Sequence, residues 1–507
     1  MRSNMQHRSQ TLVRVCLIGF AILLLAGFCF GQAAVTLSPK DGPPTTKLQV
    51  SGGGFTPYAQ IDIYFDSEDE ALAIADGTGA FSRITIQVPT SAVPGNHWVS
   101  AVERGGNHAK QEIFDVNVNW TEYHTLDMER YNPYENVLNV SNVGSLQKLG
   151  SYKTGDVVNS SPAVVNGVVY FGSNDGIVYA LNAHTGTKLW SYKTAGFAGS
   201  SPAVANGVVY VGSWDTNVYA LNANTGALLW SYRTAWFVES PPTVANGVVY
   251  VGSADSNVYA LDASTGAKLW SYTTGSIVTS SPAVANGVVY VGSWDGNVYA
   301  LNASTGAKLW SYGTSGGVYS SPAVANGAVY IGSWDGNVYA LNANTGAKLW
   351  SYGTGSGVES SPAVANGVVY VGSEDSNVYA LDASTGAKLW SYGTGGLEYS
   401  SPAVANGVVY IGSDDNNVYA LNASTGALLW SYAVGPIEQA APAVVNGVVY
   451  IGSDDDNGYA FGLPKGLEPE PPNRPGVNTL RPDFDLKVSK PVADPSGHGL
   501  SGGLKRM

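Results

Sequence analysis

From Ser151 onward, short apolar runs alternate with glycine-containing turns in a fixed order. Within residues 271–310 the runs Ser281–Ala285, Val288–Gly292, Val298–Asn302 and the stretch from Lys308 are separated by Asn286-Gly287, by Trp294-Asp295-Gly296-Asn297 and by Ser304-Thr305-Gly306. Runs rich in Val, Tyr and Trp, broken by Asn-Gly, Asp-Gly and Thr-Gly, predict four antiparallel strands joined by tight turns. The same text restarts at Ser151, Ser191, Ser231, Ser271, Ser311, Ser351, Ser391 and Ser431, giving eight copies of forty residues without an insertion. A lone four-stranded sheet cannot bury both of its faces, so the copies must pack face to face. The pattern predicts an all-β chain with an eight-bladed β-propeller.

The eighth copy loses the pattern at Leu463-Pro464-Lys465, before its fourth strand. Residues 146–154 supply the missing text one period early, with Gly150 where the other copies have Trp. A strand from before the first blade would complete the last one, closing the ring and removing an open sheet edge.

The run Ala300-Leu301-Asn302-Ala303-Ser304-Thr305-Gly306-Ala307-Lys308-Leu309-Trp310 resembles the tryptophan-docking motif of the PQQ-like (quinoprotein-type) β-propeller repeat. It occurs seven times, ending at Trp190, Trp230, Trp270, Trp310, Trp350, Trp390 and Trp430. Residues 131–146 resemble the segment that precedes the first blade in that family. The resemblance covers residues 119–462, with a lead-in over 119–145, and implies that the docking tryptophans are structural, filling the gaps between blades. It speaks for fold more than for function.

Ahead of this region lie two other kinds of text. Residues 1–33 have a basic start (Arg2, Arg8, Arg14), a sixteen-residue apolar run Val15–Phe30, and small residues Gly31 and Ala33. They read as a secretory signal peptide, since the run is shorter than the ~18–20 residues of a spanning helix. Residues 34–118 lack the forty-residue period. Their alternating segments Lys47–Ser51, Gln60–Phe65, Phe81–Val88, Trp98–Glu103 and Glu112–Val118 predict a small β-sandwich. The phrasing Gly52-Gly53-Gly54-Phe55-Thr56-Pro57 and Val93-Pro94-Gly95 is similar to bacterial immunoglobulin-like (IPT/TIG-type) modules, which implies a spacer or adhesive unit. Asp66, Glu68, Asp69 and Glu70 read as a solvated acidic loop in preference to a Ca²⁺ site. Residues 463–507, rich in Pro, Gly and charge, read as a disordered tail.

Composition narrows the functions. Both cysteines, Cys16 and Cys29, fall in the leader, so the processed chain has no thiol catalyst and no cysteine-ligated metal. Loss of the leader's three arginines moves the formal charge from −13 to −16. Such an acidic chain is unsuited to nucleic acid or an anionic membrane surface. The expectation is an exported monomer, periplasmic, at the cell surface or extracellular, that does not span a membrane once the leader is removed.

When the copies are superimposed, the Asn-Gly and Thr-Gly turns scarcely change, whereas the connections between copies diverge. Those connections and the second-to-third-strand turns share one rim, so divergence there marks a candidate binding face. It carries Phe197, Trp214, Trp236, Phe237, Glu239, Trp294, Tyr319, Trp334, Glu359, Glu374, Glu398, Tyr399 and Glu438. The eight turn aspartates, Asp175 through Asp455, read as structural acceptors for local N–H groups.

The expected function is non-catalytic: an exported scaffold that binds a protein or glycan partner through this acidic, aromatic rim, with no cofactor. The resemblance also implies two alternatives. One is a PQQ- and Ca²⁺-dependent quinoprotein dehydrogenase with its cofactor in the central funnel. Uniform spacing, the absence of Cys from the repeats and the expectation that near-identical blades supply rings of one residue type argue against it. The other is an outer-membrane assembly (BamB-like) factor, a family of lipoproteins without a front module.

Overall fold

The structure, a computed structural model, describes residues 34–106, 108–124 and 128–475. The proposed leader (1–33) and residues 476–507 of the proposed tail lie outside the described residues. No helix among the described residues is long and apolar enough to cross a membrane.

The periodic region is an eight-bladed propeller. Blade 1 comprises Ala163–Val165, Val168–Gly172, Ile177–Asn182 and Lys188–Lys193, hydrogen bonded in that order from the axis outward. Blades 2 to 7 repeat it at intervals of forty residues. Blade 8 takes three strands from the end of the repeats, Ala443–Val445, Val448–Ser453 and Asn457–Gly462, and its outermost strand from Gln147–Lys153. Sequence-distant pairing thus joins the two ends of the propeller and leaves no blade open.

Local chemistry fixes each turn. The innermost hairpin of every blade turns through Asn-Gly with both residues in the left-handed region, as at Asn286 (φ 50°) and Gly287 (φ 77°), the conformation a two-residue hairpin of matching twist requires. The turn aspartate ties backbone and side-chain donors together. Asp215 Oδ1 accepts from the Asn217 N–H, and Oδ2 accepts from Tyr219 Oη (2.8 Å) and from the Ala195 N–H of the preceding connection (2.8 Å).

Blades are stapled by the docking tryptophans. Trp190 Nε1 donates to Ala223 O of the next blade (2.7 Å), and the contact recurs through Trp390 to Ala423 O (2.9 Å). Trp430 donates to Leu146 O at the closing blade (3.0 Å). The indole lies over the glycine of the neighbouring Thr-Gly turn, where a Cβ on Gly226 would stand 2.6 Å from Trp190 Cε3. From blades 1 and 2 to blades 6 and 7 each junction is a separate apolar cluster built from Val, Ala, Leu, Tyr and this Trp, while the junctions on either side of blade 8 share one cluster.

Residues 34–116 form a β-sandwich. Ala34–Ser38, Lys47–Gly53 and Phe81–Gln87 make one sheet; Asp41–Gly42, Ala109–Val116, Gly95–Glu103, Gln60–Phe65 and Glu68–Ile74 make the other. Leu48, Val50, Ile61, Ile63, Val99 and Phe114 are buried between them. The expected acidic loop is in part an edge strand: Glu68–Ile74 pairs with Gln60–Phe65. Asp66 is engaged by His97 Nδ1 (2.7 Å) and the Trp98 N–H (3.0 Å).

The expectation of a disordered tail from residue 463 needs correction for 463–475. Leu463 is buried in the propeller. Farther on, the Arg474 guanidinium lies 4.9 Å from the Trp98 ring centroid, and Gln111 Nε2 donates to Pro475 O (3.1 Å). The strap packs on the five-stranded sheet of the sandwich, where Trp98 offers an aromatic face and the Gln111 amide, which also donates to Ser100 Oγ, accepts from Arg474 Nε (2.6 Å).

Candidate functional site

The central channel is occupied by the chain itself. After the Val118 N–H donates to Asn446 Oδ1, at the Asn-Gly turn of blade 8, residues 119–124 and 128–132 follow the inside of the propeller. Trp120 bridges to Val164 of blade 1; Thr121 O accepts from the Val204 N–H of blade 2; Glu122 Oε2 accepts from the Val244 N–H of blade 3. His124 approaches Ser281 O of blade 4. The carbonyls of Met128, Glu129 and Arg130 then accept from the N–H groups of Val324, Val364 and Val404, and Asn132 Nδ2 donates to Val444 O of blade 8. The described residues of this circuit therefore meet seven of the eight innermost strands and, in blade 4, the Ser281 carbonyl just ahead of Ala283–Ala285.

Trp120, His124 and Arg130 are fully or almost fully buried there. The Arg130 guanidinium donates to Pro402 O (2.8 Å) and Tyr123 O (2.5 Å) and lies 4.5 Å from the Tyr123 ring centroid. Burial lowers its pKa and pushes Glu122 up to about 8 and His124 down to about 3. These groups hold the segment in place.

The chain leaves by the face it came in on. Glu135 Oε2 accepts from the Gly447 N–H, and Asn136 Nδ2 donates to Ala92 O of the sandwich (2.7 Å). The sandwich therefore attaches on the Asn-Gly face, and the face carrying the variable connections stays open.

On that open face lies a cavity of about 550 Å³. Tyr123 is its floor, with Oη hydrogen bonded to Ser401 Oγ (2.7 Å) and Ser361 Oγ (3.2 Å). The serines belong to the Ser-Ser-Pro text and staple blades at the funnel's base: the Ser321 N–H donates to Ser361 Oγ and the Ser361 N–H to Ser401 Oγ, both at 2.8 Å. Immediately before that text, the ninth residue of every copy points into the cavity, and here the copies disagree. The ring reads Asn159, Gly199, Glu239, Thr279, Tyr319, Glu359, Tyr399, Gln439. The expectation of rings of one residue type fails at this level, because the ninth position meets the cavity and is released from blade packing.

The ring is electrostatically one-sided. Burial raises Glu239, with Gln439 hydrogen bonding against that rise. Burial, Glu374 and Glu239 push Glu359 up to about 7. Outside the lining, on the rim at blade 8, burial, Glu438 and Asp414 push Asp454 up to about 7. Asn159 Oδ1 and Asp454 Oδ1 are shielded from solvent and accept no hydrogen bond. The site offers acceptors and negative charge in excess, and no Lys or Arg lines it.

Blades 2 to 5 carry the aromatic half. Trp214 stacks on Phe237 (4.9 Å between centroids) and meets Phe197 (5.2 Å); Trp236 joins at Phe237 (5.3 Å). Tyr319 lies between Trp294 (4.4 Å) and Trp334 (5.4 Å). Trp334 Nε1 donates to Glu374 Oε1 (3.0 Å), joining the aromatic half to the acidic one on blades 6 to 8.

Of the residues singled out in the sequence, Phe197, Trp214, Phe237, Glu239, Trp294, Tyr319, Glu359 and Tyr399 line the cavity. Trp236, Trp334, Glu374 and Glu438 sit outside the lining, on the rim. Glu398 is a correction: it is fully buried, below Gly372, at the eighth position of its copy where other blades place Val158, Val238, Val278, Val318 and Val358. It presents no carboxylate to a partner. Sequence reading missed Tyr123, Asn159, Asn174, Thr279 and Gln439. The last four were legible as variation at fixed positions of the repeat, while Tyr123 lies in the lead-in with no motif to mark it.

Residues 200–434 match the family described as the β-propeller of beta-alanine-activating enzyme, and residues 120–201 match the β-propeller domain of glucose/ethanol/alcohol dehydrogenases. No curated protein matches the chain significantly. Among solved structures, BamB from Moraxella catarrhalis is similar, with 22% identity over 64% of this chain and 99% of that one (TM-score 0.56). So is the quinohemoprotein alcohol dehydrogenase from Comamonas testosteroni, with 17% identity over 69% of this chain and 82% of that one (TM-score 0.61). A computationally designed protein matches with 22% identity over 62% of this chain and all of that one (TM-score 0.58). The chain carries a PQQ-like β-propeller. At these identities the likeness to solved structures concerns the fold.

Proposed function

We propose that the protein is an exported binding scaffold whose open-face funnel takes a cationic, ring-bearing ligand, best met by a glycan that carries free amino groups. The observation that carries this reading is the ninth-position ring: six residue types at one register of near-identical repeats, around a cavity of about 550 Å³ with a closed floor. That size falls within the range of small-ligand sites. Aromatic faces suit the apolar side of a sugar ring. Glu239, Glu359 and the unpartnered Asn159 oxygen suit ammonium and hydroxyl donors. The front sandwich, read as immunoglobulin-like, would then be a spacer on the opposite face.

The quinoprotein reading fits the lining less well. PQQ is a polycarboxylate, and in this funnel it would meet Glu239 and Glu359 with no basic side chain to clamp it. The one nearby guanidinium, Arg130, is buried beneath Tyr123 and committed to carbonyls. No group of three or more His, Cys, Asp or Glu among the described residues is placed to hold a metal ion. A BamB-like role rests on the fold alone.

Calorimetric titration of the full chain with a chitosan oligosaccharide, its N-acetylated counterpart and a lysine-rich peptide tests the proposal. The expected result is saturable binding of the amino sugar, weakened at least tenfold in Glu239→Gln/Glu359→Gln and by added salt. Preference for the peptide would make the partner a protein. No binding of any of the three, or equal binding by the double variant, would overturn the reading.

A further inference from the structure

Seven of the eight blade junctions are filled by an indole, and the eighth is not. In blade 1 Trp190 stands opposite Ala180, just after a bulge at residue 189. In blade 8 Gly150 stands opposite Ala460, just after the equivalent bulge at residue 149. Gly150 thus occupies the tryptophan's register, and the space an indole fills elsewhere is a cleft of about 190 Å³ between blades 8 and 1.

The cleft keeps the features that hold an indole at the other junctions. At the junction of blades 1 and 2, Ala223 O accepts both Trp190 Nε1 (2.7 Å) and Tyr170 Oη (3.2 Å). In the cleft, Ala183 O accepts only the equivalent tyrosine, Tyr450 Oη (3.3 Å). A Cβ on Gly226 would collide with the Trp190 ring, whereas nothing lies within 4 Å of one on Gly186 or Gly150. Gly186 is exposed where Gly226 is buried. Leu149, Val169, Phe171, Leu181 and Tyr459 give it an apolar side, and Ser151, Asn182, His184 and Thr185 add polar groups to the lining.

A neighbouring size change is compensated. Gly458 replaces the valine of the other third strands, and Phe171 replaces the Val or Ile opposite, its Cζ lying 3.5 Å from where a Cβ on Gly458 would be. The loss of the tryptophan has no such compensation. An apolar cavity of about 150 Å³ is enough to bind benzene.

We propose that the cleft between blades 8 and 1 is a binding site for a small indole compound, with the ring over Gly186 and its N–H donating to Ala183 O. No tryptophan of the chain is left over for the site: all thirteen lie in the described residues and none is at this cleft.

Thermal unfolding of the full chain with and without indole tests this, using two variants. Trp310→Gly opens an equivalent cleft at a junction known to hold an indole; Gly150→Trp closes the natural one. Saturating indole should raise the Tm of the wild type and of Trp310→Gly by about 2–4 °C. Gly150→Trp should melt higher than wild type without ligand and show no shift with it. If Gly150→Trp does not fold, Gly150→Leu, which fills part of the same space, replaces it. A response from Trp310→Gly alone, from neither open form, or undiminished in the filled variant would overturn the proposal. A stronger response to a tryptophan-bearing peptide than to indole would overturn the small-molecule assignment. The cleft and the funnel share no lining residue, so the two proposals fail independently.

Discussion

Glu398 shows what a single residue costs when it departs from the repeat. It takes the buried place that Val158, Val238, Val278, Val318 and Val358 hold in other blades. Its Oε1 accepts from Thr394 Oγ1 (2.5 Å), and its Oε2 has no partner. Burial pushes its pKa up to about 8, with Ser413 and Thr394 working against the rise. The folded protein therefore holds a proton here that the unfolded chain releases above its ordinary value near 4.5. The linked stability is full below about 4.5 and is lost as pH rises through about 8. Glu398→Val is expected to stabilise the protein by about 1–3 kcal/mol at pH 8.5 and by less at pH 5. Denaturant unfolding at the two pH values checks this; an equal gain at both would show that the carboxyl is ionised throughout. The docking tryptophans run the other way, and Trp350→Ala is expected to cost about 3–5 kcal/mol, read from the same unfolding curves.

Among the elements, the lead-in was the least legible. Blade strands and turns were readable because each copy restates its period, its Asn-Gly and its Thr-Gly. The closing strand was readable because residues 146–154 repeat the fourth-strand text out of place. The circuit through the channel carries no comparable signal, since most of its hydrogen bonds are between backbone groups, which any residue supplies. Within it Arg130 stands out only in three dimensions, buried with carbonyls as its acceptors. Arg130→Met, which removes the guanidinium and leaves those carbonyls without donors, is expected to destabilise the propeller by about 3 kcal/mol or more. The same unfolding experiment reads it, and a loss under 1 kcal/mol would mean that the segment is held by its backbone bonds alone. The edge strand Glu68–Ile74 was missed for a related reason: its first three residues are acidic and hid the β-pattern of Ala71–Ile74.

At the scale of the whole molecule the two faces of the propeller have separate tasks. The Asn-Gly face carries the chain connection from the sandwich, at Val118, and a side-chain contact to it, at Asn136. The other face carries the funnel, aromatic on blades 2 to 5 and acidic on blades 6 to 8. Superposing the copies located the rim and four residues of the ring, Glu239, Tyr319, Glu359 and Tyr399, but not the ring as one register, because the ninth position looked like part of a tolerant loop until the structure turned it toward the axis. The most direct measurement is amino-sugar binding by a variant whose ninth positions are made uniform: Asn159→Thr, Gly199→Thr, Glu239→Thr, Tyr319→Thr, Glu359→Thr, Tyr399→Thr and Gln439→Thr, with Thr279 kept. The account predicts a folded propeller with a Tm close to the parent's and no detectable binding. Binding retained at the parent's affinity would contradict it and move the site off the funnel.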